Sequence, residues 1–98
     1  MRLTPNALRV LALLYHGIEP HYGLSLSKAL HLGNGTLYPI LDKLEDAGLL
    51  LGTWEDIDPH IAGRRPRRFY TLTGEGMRTF ERERDSLFVT LQGGVPHA

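Results

Sequence analysis

Hydrophobic residues at helical spacing predict a first helix near the start of the chain. Thr4 is a residue type that caps helices, and Pro5 is favoured at the first helical position. Gly17 is predicted to end this helix. Between these signals the apolar residues recur at intervals of three and four, as in an amphipathic helix: Leu8, Leu11, Ala12 and Tyr15.

The pattern predicts two more helices in the first half of the chain. A short one covers residues 22–32, and a turn at residues 33–35 follows it. The third helix starts between Asn34 and Thr36, because Pro39 lacks an amide hydrogen and fits best in the first turns. Gly48 is its predicted C-cap. The apolar face of this helix consists of Leu37, Ile40, Leu41 and Leu44.

After Gly48 the spacing changes to the alternation that is typical of strands. Residues 49–57 are predicted to form one strand and residues 68–72 a second, so that the two make a β-hairpin. Residues 58–66 contain two prolines and a glycine, and we expect them to form the connecting loop. Thr73 is the predicted N-cap of a last helix.

The predicted order is helix, helix, helix, strand, loop, strand, helix. Two helices joined by a glycine-containing turn and followed by a β-hairpin are typical of a winged helix-turn-helix domain, a mainly α fold of the α+β class. We expect this domain to cover residues 1–73. Residues 74–92 are predicted to form a C-terminal dimerisation helix, and residues 93–98 a flexible tail.

Composition narrows the possible functions of the 98-residue chain. There is no cysteine, and therefore no disulfide or thiol nucleophile. The five histidines lack metal-binding spacing, and no catalytic motif is present, so we expect no metal, no cofactor and no enzymatic activity. No apolar run approaches the length of a membrane span, so we expect a soluble cytoplasmic protein.

Charge is distributed unevenly along the chain. The 11 basic and 11 acidic residues cancel, but residues 1–63 carry a net charge of −3 and residues 64–98 a net charge of +3. Four arginines stand together at the tip of the predicted hairpin: Arg64, Arg65, Arg67 and Arg68. They form either a cationic wing that contacts DNA phosphates or the minor groove, or a solvated loop tip.

The start of the third helix is a second candidate site, because this end of a helix-turn-helix unit enters the major groove. Asn34 can hydrogen-bond a base edge, and Gly35 lets the backbone approach DNA closely. Thr36 and Tyr38 can donate hydroxyl groups to phosphates. Each side chain also has a structural interpretation: Asn34 can cap the helix, Thr36 can satisfy a backbone amide, and Tyr38 can lie over the core. Trp54 is interpreted as a core or subunit contact.

Three segments together carry a family resemblance: His21-Tyr22-Gly23-Leu24 with Lys28, Gly35-Thr36-Leu37-Tyr38-Pro39, and Gly63-Arg64-Arg65-Pro66-Arg67-Arg68-Phe69-Tyr70-Thr71-Leu72-Thr73. They resemble the PadR family of bacterial transcriptional regulators. The resemblance implies a homodimeric repressor that occupies operator DNA. The chain departs from many members at Gly33-Asn34 and in its single C-terminal helix. The predicted DNA-binding residues are Lys28, Asn34, Gly35, Thr36, Tyr38, Pro39, Arg64, Arg65, Arg67 and Arg68.

The apolar surface of the first and last helices exceeds what one small core needs, which favours a homodimer. The resemblance implies that the last helix packs against the first helix of the partner. A symmetric dimer presents two recognition helices about 34 Å apart, so the operator is predicted to be an inverted repeat. The predicted dimerisation residues are Val10, Leu13, Leu14, Met77, Phe80, Leu87, Phe88 and Leu91.

The sequence therefore predicts a sequence-specific DNA-binding regulator that acts as a repressor. The alternative is a winged-helix module that binds an acidic protein surface and not DNA, and the net charge of zero supports it. DNA binding by the purified protein distinguishes the two hypotheses. An effector molecule, if one exists, is not identified by these residues.

Overall fold

The structure is a computed structural model, and it describes residues 2–93. This part of the chain forms five helices and three strands. The predicted tail lies outside the described residues except for Gly93. In chain order the elements are α1 (Pro5–His16), β1 (His21–Tyr22), α2 (Gly23–Leu30), α3 (Asn34–Asp46), β2 (Leu50–Trp54), α4 (Pro59–Ala62), β3 (Arg68–Leu72) and α5 (Gly74–Leu91).

Side-chain caps begin the first and last helices as the sequence predicts. The Thr4 hydroxyl accepts a hydrogen bond from the backbone N–H of Ala7 at 3.2 Å, and Pro5 is the first helical residue. The Thr73 hydroxyl accepts from the backbone N–H of Gly76 at 2.9 Å. Both predicted helix starts are confirmed.

The three strands form one antiparallel sheet in the order β1-β3-β2. The bounds of β3 agree with the prediction, whereas β2 is shorter than predicted and ends at Trp54, which pairs with Arg68. The strand β1 was not predicted. It has only two residues and exists because His21 pairs with Tyr70, far along the chain.

The turn between α2 and α3 lies earlier than predicted. Gly33 is the N-cap of α3, and its carbonyl accepts from the backbone N–H of Leu37 at 2.9 Å. Asn34 and Gly35 are therefore helical, and the prediction of a turn at these two residues is wrong. The interpretation of Asn34 as the cap is also wrong.

Two further local predictions need correction. The C-cap of α3 is Ala47, and Gly48 follows it with a φ of 78°, a conformation that glycine adopts without strain. The predicted loop contains the short helix α4, which Asp58 caps by accepting from the backbone N–H of His60 at 2.9 Å. Asp followed by Pro is the local signal for this helix start.

The core lies where α1, α2 and α3 pack together and against the sheet. The helix α5 packs against α1 and adds Phe80 to the core. Phe80 is buried, and the rings of Phe80 and Tyr15 lie 4.7 Å apart. The Tyr15 hydroxyl donates to Glu81 at 2.7 Å and ties the two helices together. The largest completely buried side chains are Val10, Leu11, Leu26, Leu37, Leu41 and Leu44.

One glycine permits the closest approach between α5 and the sheet. A Cβ atom on Gly76 would lie 2.1 Å from the backbone carbonyl oxygen of Leu49, a contact that no side-chain adjustment can relieve. Gly74, in the same helical turn, has as its nearest neighbour the flexible end of Arg78, at 3.4 Å.

We expect Gly76→Ala to lower the free energy of unfolding by about 1–3 kcal/mol or more, because overpacking forces the backbone apart. Gly74→Ala, the matched control, is expected to change it by less than about 0.5 kcal/mol. Chemical denaturation at equal protein concentrations measures both. Equal stability of the two variants would contradict the contact.

Candidate nucleic-acid interface

The N-terminal end of α3 projects from the surface. Its inward face is buried through Leu37, while Asn34, Gly35 and Thr36 are exposed. Within residues 2–93 no hydrogen bond joins the side chain of Asn34 or Thr36 to the rest of the chain. The interpretation of Thr36 as a partner for a backbone amide is therefore not supported by any contact.

Gly35 has open space where a side chain would stand, with no atom within 4 Å of an ideal Cβ. The fold itself therefore leaves room for a larger residue at this position. Glycine in a helix costs about 1 kcal/mol of stability relative to alanine. Pro39 is exposed on the same helix and, lacking an N–H, cannot donate to the Gly35 carbonyl. This end of α3 is thus built at some cost to helix stability.

Tyr38 lies between α3 and the start of α2. The residue is 42% exposed, so it is not buried in the core. A Cβ atom on Gly23 would lie 2.3 Å from the Tyr38 hydroxyl oxygen, which means that glycine is required for this position of the ring. Tyr38 therefore packs against α2 while its ring remains accessible.

Lys28 is exposed in the last turn of α2. It does not line the groove between α3 and the hairpin that is described below. Of the predicted DNA-binding residues, the groove lining includes Tyr38, Arg67 and Arg68.

The hairpin between β2 and β3 carries the arginines, and we call residues 55–68 the wing. The backbone N–H of Glu55 donates to the Arg67 carbonyl at 2.8 Å and extends the ladder beyond Trp54. The helix α4 then shapes the tip, and Gly63 ends it with a φ of 69°. The wing is thus an ordered turn with α4 at its tip.

Two of the four wing arginines form ion pairs with carboxylates of the same chain. Arg64 donates to both oxygens of Glu55, at 2.6 and 3.1 Å. The Arg64 guanidinium lowers the pKa of the Glu55 carboxyl, and the Glu55 carboxylate raises the pKa of Arg64. Arg68 donates to Glu45 of α3 at 2.6 Å. The four arginines are therefore not equivalent, because Arg64 and Arg68 are paired with carboxylates.

The other two arginines have no carboxylate partner within the described residues. The guanidinium carbon of Arg67 lies 4.4 Å from the ring centre of Tyr22. Arg65 is exposed, and its side chain makes no hydrogen bond or ion pair with residues 2–93. These two side chains keep their donors available to an external anion.

An open groove of about 400 Å³ lies between the start of α2, Tyr38 of α3 and the hairpin of β2 and β3. Arg68 crosses its floor, with its guanidinium carbon 5.2 Å from the ring centre of Trp54. Trp54 is 64% exposed, which contradicts its interpretation as a core residue. The groove is lined by Tyr22, Gly23, Leu24, Tyr38, Trp54, Pro66, Arg67, Arg68 and Tyr70.

The predicted dimerisation residues fall into three groups. Val10 and Phe80 belong to the core of the single chain, with 0% and 4% of their surface exposed. Leu13 and Leu14 are half-buried against that core. Four residues of α5 are exposed apolar side chains: Met77, Leu87, Phe88 and Leu91.

None of the helices within residues 2–93 is long and apolar enough to cross a membrane. Over the same range no three His, Asp or Glu side chains are grouped so as to hold a metal ion.

The element order, the three-stranded sheet and the helix end beside a wing define a winged helix-turn-helix protein. Residues 10–82 match the model of the transcriptional regulator PadR-like family. The chain belongs to this family, whose members are transcriptional regulators and not enzymes. A comparison with curated proteins gave no match.

Solved structures support the same assignment. A PadR family transcriptional regulator from Eggerthella lenta is 33% identical, with a TM-score of 0.68, over 92% of this chain and 80% of the other. A PadR-like transcription factor from Bacteroides fragilis is 28% identical, with a TM-score of 0.71, over 92% and 85%. A transcriptional regulator homologue from Pyrococcus horikoshii is 25% identical, with a TM-score of 0.78, over 95% and 86%.

The Glu55–Arg64 contact can be tested by titration. We expect the Glu55 carboxyl to have a pKa below the ordinary value of a glutamate, mainly because Arg64 donates to it. The contact therefore stabilises the fold at neutral pH, and this stabilisation is lost as the pH falls through the folded-state pKa. In Arg64→Ala the pKa is expected to rise, as measured by carbon-detected NMR of the side-chain carboxyl.

Arg65→Ala is the matched control for this titration, because Arg65 does not contact Glu55. Its Glu55 pKa is expected to stay low. An unchanged Glu55 pKa in Arg64→Ala would show that the hydrogen bonds do not form in solution.

Proposed function

We propose that this PadR-like regulator binds a specific operator as a homodimer and represses transcription in the cytoplasm. The observation that carries the proposal is the exposed end of α3, where the side chains of Asn34 and Thr36 have no hydrogen bond to the described chain and Gly35 leaves open space. Polar groups that the fold does not use are available to a ligand. Operator occupancy alone is enough to repress, so no additional activity is needed.

We propose two kinds of DNA contact at the start of α3, one to a base edge and the other to phosphates. Asn34 stands in the first turn, where the side-chain amide can form two hydrogen bonds with an adenine edge. The hydroxyl groups of Thr36 and Tyr38, both on exposed residues, suit phosphate oxygens, which fix the register of the helix without reading sequence. Gly35 and Pro39 have small side chains on this part of α3, so that the helix backbone can approach the major groove of DNA closely.

The wing supplies a second contact. Arg65 and Arg67 have guanidinium groups without a carboxylate partner among residues 2–93, and we assign them to DNA phosphates beside the groove. Lys28 is exposed on α2 and is proposed as a peripheral phosphate contact. These contacts depend on salt, because each one releases counterions from DNA.

A homodimer accounts for the exposed apolar residues of α5. Phe88 is 59% exposed and Leu91 is 76% exposed. Contact of these apolar side chains with water is unfavourable, and burial against a second chain would remove it. A shallow groove beside them, between the start of α1 and α5, includes Leu8 and Leu87 and offers a place for an apolar helix. We propose that residues 74–92 form the dimerisation helix and that two copies read an inverted repeat.

A winged-helix module that binds an acidic protein surface is the second candidate. The observation in its favour is the net charge of zero, which gives the chain no overall attraction for a polyanion such as DNA. Binding to DNA decides between the two functions. The experiment is a fluorescence anisotropy titration with the region upstream of the protein's own gene and with a scrambled duplex.

We expect the upstream duplex to be preferred and Asn34→Ala to weaken its binding about 5- to 150-fold per chain, the equivalent of 1–3 kcal/mol for each lost base contact. Binding to the scrambled duplex is expected to change little, because that binding rests on phosphates. Asn6→Ala is the matched control: it makes the same substitution in the first turn of α1.

Two outcomes of this titration would count against the proposal. If Asn34→Ala lowers the affinity for both duplexes equally, Asn34 does not contact a base. No binding of the unaltered protein to either duplex at low salt would exclude DNA as the partner and favour the protein-interaction module.

The dimer is tested separately. Phe88→Glu places a charge on the exposed face of α5, and we expect it to reduce the mass in solution from twice the 11.0 kDa of one chain to a single chain. Ile61→Glu is the control, because Ile61 is 87% exposed at the tip of the wing. Light scattering after gel filtration measures both. A single-chain mass for the unaltered protein would refute the dimer.

A further inference from the structure

The wing contains its own competitor for DNA phosphate. Glu55 presents two carboxylate oxygens to the guanidinium of Arg64, at 2.6 and 3.1 Å, in the two-point geometry that a phosphate group also uses. The Glu55 side chain is only 20% exposed, and its Oε1 atom also accepts from the backbone N–H of Arg67 at 3.3 Å. Glu55 is therefore held in place by the wing before any ligand arrives.

The charge of the wing is correspondingly small. Three carboxylates oppose its four arginines, which leaves a net charge of +1 on a chain whose total is zero: the acidic residues are Glu55, Asp56 and Asp58. Sequence-independent DNA binding depends on the number of phosphates that Lys and Arg neutralise. A wing with nearly balanced charge binds random DNA weakly.

We propose that Glu55 withholds Arg64 from DNA phosphate and thereby lowers the affinity of the protein for DNA of any sequence. The inference rests on the DNA-binding function proposed above. Phosphate contact then falls to Arg65 and Arg67, and a larger share of the binding free energy comes from the base-reading end of α3. Glu55 is a positioning residue that acts through Arg64.

The pair of Arg68 and Glu45 has a different role. Glu45 belongs to α3 and Arg68 to β3, so their contact at 2.6 Å ties the recognition helix to the sheet. A Cβ on Gly52 would lie 2.6 Å from the Arg68 guanidinium, which is therefore packed closely over β2. Glu55, in contrast, pairs within the wing, so removing its charge leaves the placement of α3 intact.

The test is the salt dependence of binding to the scrambled duplex. Glu55→Gln keeps the shape and the acceptor for the Arg67 amide but removes the charge. We expect the slope of log affinity against log salt to steepen by about 0.9 per chain, and affinity at 0.1 M salt to rise roughly 8-fold per chain. The gain is expected to be equal on the upstream duplex, since phosphate carries no sequence information.

Three matched variants isolate the contact. The double variant Glu55→Gln/Arg64→Ala is expected to have the slope of the unaltered protein, because the additional phosphate contact in Glu55→Gln is made by Arg64. Asp56→Asn removes a neighbouring exposed carboxylate that has no arginine partner in the described chain, and we expect its slope to be unchanged. Arg65→Ala is expected to make the salt dependence weaker, with a slope that is flatter by about 0.9 per chain.

The inference is overturned if Glu55→Gln leaves the slope unchanged, or if Asp56→Asn produces the same increase, since general charge repulsion would then explain the effect. Both outcomes leave the proposed function in place as long as the unaltered protein binds the upstream duplex. Failure of the unaltered protein to bind either duplex would overturn the proposed function and this inference together. Thermal unfolding of each variant separates a loss of fold from a change in binding.

Discussion

Burial of one face of α3 determines most of what the surface presents. Leu37, Leu41 and Leu44 are completely enclosed by the rest of the chain, and their burial sets the rotation of the helix about its axis. Asn34 and Tyr38 then stand outside the core, toward solvent and the groove. Removing this packing would release α3 from the core, whereas changing its exposed residues leaves the core as it is.

The electrostatic interactions of this protein act between neighbouring side chains. With a net charge of zero the chain has no overall attraction for a polyanion, so individual contacts decide where an anion binds. Glu45 and Glu55 each engage an arginine through a short hydrogen bond. The number of arginines in the sequence therefore overstates the cationic character of the wing.

Signals that act within a few residues predicted their elements well. The Thr4 and Thr73 caps and the strand at residues 68–72 all agree with the structure. The strand β1 escaped prediction because two residues have no pattern of their own. The helix α4 also escaped, although Asp58 followed by Pro59 carried its start signal, since the surrounding prolines and glycine favoured a loop.

The winged helix-turn-helix class could be predicted from the chain alone, because periodicity and capping are read from neighbouring residues. The start of α3 and the arginine cluster were also recognisable as candidate sites. The pairing of Arg64 and Arg68, the exposure of Trp54 and the burial of Val10 are visible only in the folded chain. These outcomes depend on chain segments that meet only in the folded state, such as Arg68 and Glu45, which are 23 residues apart.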